Sequence, residues 1–126
     1  MKYIIPLFII LILSTNLYAG DYKFAENWTW EDTVYQGIVI SALVVDMGQT
    51  LYISNHPDEF YEMNPLLGKH PHQDKVIGYF VGWIVASTLT AMALTPKSRR
   101  IFQGSVIGIE AITIGRNYGV GIGMEF

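Results

Sequence analysis

The run V-I-G-Y-F-V-G-W-I-V-A-S-T-L-T-A-M-A-L, from Val76 to Leu94, decides the fold. It holds about twenty residues without a charge, the length an α-helix needs to cross the hydrocarbon of a bilayer. Pro71 and Asp74 introduce it and Thr95-Pro96 closes it, so the signals of a helix start and stop stand at its two ends. Gly78, Gly82, Ala86 and Thr90 recur at steps of four. Such a stripe either lets a second helix approach closely or simply reflects how common glycine is in membrane helices.

Working outward, a comparable segment lies on each side. Upstream, Thr29 and Asp32 have the spacing of a capping box, and the apolar run that follows continues to Ile53. As a helix it would be about 36 Å long. Trp28, Trp30 and Tyr35 stand at one end and Tyr52 near the other, as in the aromatic belts of a bilayer. Downstream, Thr95 caps a segment that runs from Pro96 to about Tyr118, interrupted by Glu110 and Arg116. There Gly104, Gly108, Ala111 and Gly115 share one face, with Gln103, Glu110, Thr113 and Asn117 nearly opposite. Neither face suits lipid, so this helix requires neighbours on both sides.

The expected fold is therefore all-α, a bundle of three transmembrane helices (about 30–53, 74–94 and 97–118) in one domain, residues 20–126. Residues 54–72 read as a structured loop, because Phe60, Tyr61, Leu66 and Leu67 are too apolar to hang in water. Residues 119–126 read as an extended tail. Lys2, the apolar run Ile4 to Leu13 and the small and polar exit Ser14 to Ala19 form a secretory signal peptide, residues 1–19, or an uncleaved anchor. The bacterial envelope follows as the setting, with the inner membrane as destination ahead of the outer.

An acid inside an apolar run needs a reason. If the first and third helices run in the same direction, Asp46 lies about 10 Å and Glu110 about 12 Å before the ends of their helices, at similar depth. Gln49 and Thr50 share the face of Asp46, and Thr113, Arg116 and Asn117 follow Glu110 on the third helix. The loop with Glu62 and Asn64 roofs the cluster. Two readings stay open: an ion, proton or small-ligand site, or acids neutralised by Arg116 with Gln and Thr as interhelical glue. Lys97, Arg99 and Arg100 would form a short outer loop, which sits against the positive-inside tendency of this orientation.

Much is excluded. The chain of 126 residues has a net charge of −3 and only that one short basic group, so no nucleic-acid partner is expected. Cysteine is absent, which removes disulfides, thiolate catalysis and Cys-based zinc sites. No nucleophile elbow, P-loop or dinucleotide fingerprint is present, and G-V-G-I-G from Gly119 to Gly123 has the wrong spacing and follows a helix. His56, His70 and His72 lack the helical spacing of a metal site and read as solvated loop residues. No enzyme, cofactor or metal is implied. The partners expected are the lipid bilayer and a second copy or another membrane protein.

The tail alternates glycine or acid with Val120, Ile122, Met124 and Phe126 and looks like the last strand of an outer-membrane barrel. A barrel component is kept as an alternative, although the continuous apolar runs oppose it. D-x-x-Q-T (Asp46, Gln49, Thr50) followed by E-x-N-P-x-L-G (Glu62, Asn64, Pro65, Leu67, Gly68) resembles a group of short, uncharacterised membrane proteins of phages and proteobacteria. The resemblance implies a helical membrane architecture and no mechanism. The function expected is that of a structural or accessory interaction protein of the envelope, with an ion, proton or ligand module as the alternative.

Overall fold

A computed structural model describes residues 23–126, so the expected signal peptide lies outside the described residues. Three helices follow one another: α1 (Trp30–Asn55), α2 (Gln73–Ala93) and α3 (Pro96–Gly119). Among the described residues there is no strand, which removes the barrel alternative.

α1 starts where the sequence places it. The Thr29 hydroxyl accepts from the Asp32 backbone N–H, and the Asp32 carboxylate accepts from that of Thr29. This satisfies two N–H groups that a helix start otherwise leaves unpaired. α1 is also the central helix; α2 and α3 each pack along it and touch one another far less. It runs parallel to α3, since Asp32 meets Arg99 while Gln49 meets Ile114 and Asn117. It runs antiparallel to α2, since Gln36 reaches Thr88 while Ser54 reaches Pro71. Val39, Leu43, Leu51, Val76 and Phe80 form the main core, joined by Leu67 from the loop.

α1 and α2 are long and apolar enough to cross a membrane, whereas α3 is not, so two helices and not the expected three meet that measure. Within the chain, the glycines of α2 and α3 do not serve the close approach of two helices. A Cβ added at Gly78, Gly82, Gly104, Gly108 or Gly115 would meet nothing within 4 Å. These stripes face away from the bundle, because the interhelical contacts are made by large and polar side chains instead.

The basic group corrects a further expectation. Arg99 and Arg100 belong to α3, not to a connecting loop, and they turn inward. Arg99 is fully buried and pairs with Asp32 at 2.9 Å. Its guanidinium also donates to the carbonyls of Ala91, Leu94 and Glu26 and lies 4.7 Å over the Trp28 ring. Arg100 bridges Glu31 and the second oxygen of Asp32 and stacks on Tyr35. Two of the three basic residues thus clamp the helix ends together, where a planar five-donor group suits several acceptors at once.

At the other end the loop folds back on the bundle. Glu62 N–H donates to the Lys69 carbonyl at 2.8 Å, closing the loop on itself. Asn64 forms an Asx turn to the Leu66 N–H, and Gly68, with φ of +85°, takes the left-handed turn that follows. The Lys75 ammonium then holds the Leu67 carbonyl. The tail lies along α1: Gly121 turns it with φ of +88°, Gly123 packs on Tyr52, and Glu125 N–H donates to the Gly48 carbonyl.

Candidate functional site

The residues singled out in the sequence divide into two groups in the structure. Asp46 of α1 and Glu110 of α3 bring their carboxyl groups within hydrogen-bonding reach of each other, and Glu62 of the loop lies close enough for its charge to act on Asp46. The Glu62 carboxylate is itself fixed by the Asn64 backbone N–H at 2.7 Å. Asn64 in turn donates through its side-chain amide to the Tyr79 hydroxyl at 2.8 Å, so α2 closes the group. Tyr79, which the sequence reading missed, lies near enough for the charges of Asp46 and Glu110 to act on it and packs edge-on to Trp83. Its position facing the acids depends on how α2 meets α1, and nothing in its local sequence signals that.

The second group is a structural tie. Gln49 is fully buried, donates to the Ile114 carbonyl and accepts from the Asn117 amide at 2.9 Å. Thr50 is buried beside it, and Thr113 bonds back to the Ile109 carbonyl of its own helix. Arg116 corrects the reading in which it neutralises the acids: it is exposed and forms no ion pair with Asp46 or Glu110. A residue six positions after Glu110 is turned about 120° away from it at 100° per residue, so Arg116 leaves the face that Glu110 occupies.

The acids therefore face one another without a cation. One carboxyl oxygen of Glu110, Oε2, is sealed from solvent and receives no hydrogen bond from any N–H or from a hydroxyl. A carboxylate oxygen left without a donor in a buried site loses its hydration with nothing in return. The neighbouring carboxyl group can supply the donor only by carrying a proton. Two like charges at this spacing out of water repel strongly, which favours the same arrangement.

The histidines lie apart from this site. His56 stacks on Tyr52 and contacts its carbonyl, while His72 is exposed beside Asp74. Among the described residues, no three His, Asp or Glu side chains converge closely enough to hold one metal ion. Comparison with family models, with curated proteins and with solved structures found no match.

Proposed function

We propose that this chain is a small integral membrane protein of the bacterial envelope that binds a proton between Asp46 and Glu110, the proton joining α1 to α3. The unpartnered, sealed Oε2 of Glu110 beside a second carboxyl group carries this reading. A metal ion in the same place fits less well, because among the described residues no third His, Asp or Glu side chain joins the two acids as a ligand.

The membrane part of the proposal rests on what the bundle shows to its surroundings. Only 22% of the apolar stretch of α2 is buried, whereas the core helix of a soluble protein is mostly buried. Ile77, Val81, Val85 and Leu89 form an exposed apolar strip along it, and Val34, Ile38, Ile101, Ile109 and Ile112 add to the apolar surface from α1 and α3. Water-soluble monomers rarely carry contiguous apolar surface on this scale. α3 falls short as a span: it carries Arg99, Arg100, Gln103, Glu110, Arg116 and Asn117, of which Arg99 and Gln103 are fully buried against α1 and the preceding turn while Arg116 is exposed near the helix end. Lipid meets the outside of a helix and not its average, so three spans remain the reading adopted.

Amide substitutions test the shared proton. An asparagine at 46 or a glutamine at 110 can donate an N–H to the remaining carboxylate, as a protonated acid does. Asp46→Asn and Glu110→Gln are expected to leave unfolding stability in detergent within about 1 kcal/mol of the parent, while Asp46→Ala costs about 1–3 kcal/mol by stranding the Glu110 oxygen. Equal damage from Asp46→Asn and Asp46→Ala would count against a proton between the two groups.

A further inference from the structure

We propose that protons reach the Asp46 and Glu110 pair only from the loop end of the bundle, with Glu62 as the group that receives them, so that the protein senses the pH of one aqueous side and does not conduct. This rests on the reading of the pair as a proton site and adds to it the route and the direction.

The two sides of the pair differ. Towards the start of α1, the next polar level is the ring of Gln36, Ser87, Thr88 and Gln103, tied by hydrogen bonds of 3.1 to 3.5 Å. Gln103 and Glu110 are two helical turns, about 10 Å, apart. The space between these levels is filled by Val39, Leu43 and Phe80, all buried, with Ile84, Val106 and Ile107 packed against them. A packed apolar layer offers a proton no group to occupy and no room for water. Beyond the polar ring, the Arg99 and Asp32 pair closes the end of the bundle with a fixed positive charge.

Towards the loop the surroundings are polar. Glu62 is partly exposed, its charge acts on Asp46, its backbone N–H donates to the Lys69 carbonyl, and its carboxylate accepts from the Asn64 backbone N–H. The titratable groups facing the pair are Asp46 from α1, Tyr79 from α2, Glu110 from α3 and Glu62 from the loop. The nearby Lys75 ammonium is engaged by the Leu67 carbonyl. A carboxylate at the rim takes a proton from water or from a buffer acid and becomes a carboxyl group. It then passes that proton to the pair and returns to the carboxylate, so one proton is bound and no electrons move.

The chain provides its own probe. Of its three tryptophans, Trp83 alone packs against Tyr79 at the site. In a Trp28→Phe/Trp30→Phe background, Trp83 fluorescence is followed in sealed lipid vesicles after a jump in external pH. Asp58→Cys in this cysteine-free chain, labelled with a membrane-impermeant maleimide, gives the fraction of molecules whose loop faces outward. The fraction of the signal that answers external pH is expected to equal that labelled fraction. Glu62→Gln is expected to slow the response at least about tenfold at unchanged final amplitude. A response from both orientations overturns one-sided access, and an unchanged rate in Glu62→Gln overturns the role of Glu62. A signal that is insensitive to pH, or that survives in Asp46→Asn/Glu110→Gln, overturns the proton site itself and this inference with it.

Discussion

Arg99→Met is expected to destabilise the bundle by about 3–5 kcal/mol, the largest effect of any single substitution considered for this chain. Methionine keeps an unbranched apolar stem but removes the guanidinium with its charge and donors. Asp32, only 2% exposed, then keeps one ion-pair partner, Arg100, at 3.3 Å on its other oxygen. The carbonyls of Ala91, Leu94 and Glu26 lose a donor at the same time. Breaking one half of a buried pair is far more costly than never having it, because the remaining charge stays buried. Asp32→Asn/Arg99→Met is therefore expected to recover part of the loss and to keep the capping box, since the asparagine Oδ1 at this third helical position can still accept from the Thr29 backbone N–H. Denaturant unfolding in detergent micelles measures both. A loss below about 1 kcal/mol in Arg99→Met would mean that the clamp is ornamental, as exposed ion pairs often are.

Leu67→Ala is expected to cost about 2–5 kcal/mol, the range for a large side chain removed from a packed core. Leu67 is 3% exposed and is the only loop residue in the main core. It anchors the segment that carries Glu62 and Asn64, so the loss falls mainly on the docking of the loop and not on the helices. Local opening makes backbone available to a protease. Tryptic cleavage after Lys69 should rise roughly 5- to 30-fold for each one or two kcal/mol lost, with helix content unchanged. Cleavage at the parent rate would show that Asx-turn geometry alone holds the loop.

These two residues illustrate what the sequence made legible. Leu66-Leu67 between Pro65 and Gly68 already indicated an ordered loop, since apolar side chains in a turn need somewhere to go; the structure seats Leu67 in the core but leaves Leu66 and Tyr61 exposed, against the expectation that these side chains avoid water. The helix starts at Thr29 and Thr95 were readable from local sequence, the first through its capping box and the second through Pro96 at the first helical position, since the Thr95 hydroxyl itself caps no backbone N–H. Equal depth on parallel helices placed Asp46 opposite Glu110 before any contact was known. The same rule, applied to the helix starts, would have set Asp32 opposite Arg99. Read as a short outer loop, the basic group had no such partner. Tyr79 was beyond reach because its partners come from elements distant in sequence. The glycine stripes misled for a related reason: spacing shows that small residues share a face, and only packing shows which way that face points.

The arrangement as a whole is a bundle fastened at one end by fixed charges and, deeper in, by acids that lack a counter-charge. Gln49 and Asn117 tie the same two helices with neutral groups a turn or two further on. The acid pair thus joins α1 to α3 by a proton, whereas the Asp32 and Arg99 pair at the other end needs its acid ionised. The central claim is that one proton is held between Asp46 and Glu110, and infrared spectroscopy of the protein in lipid at neutral pH tests it most directly. The account predicts the carbonyl stretch of a protonated carboxyl group that is lost in Asp46→Asn/Glu110→Gln; a spectrum showing only ionised carboxylates would contradict it.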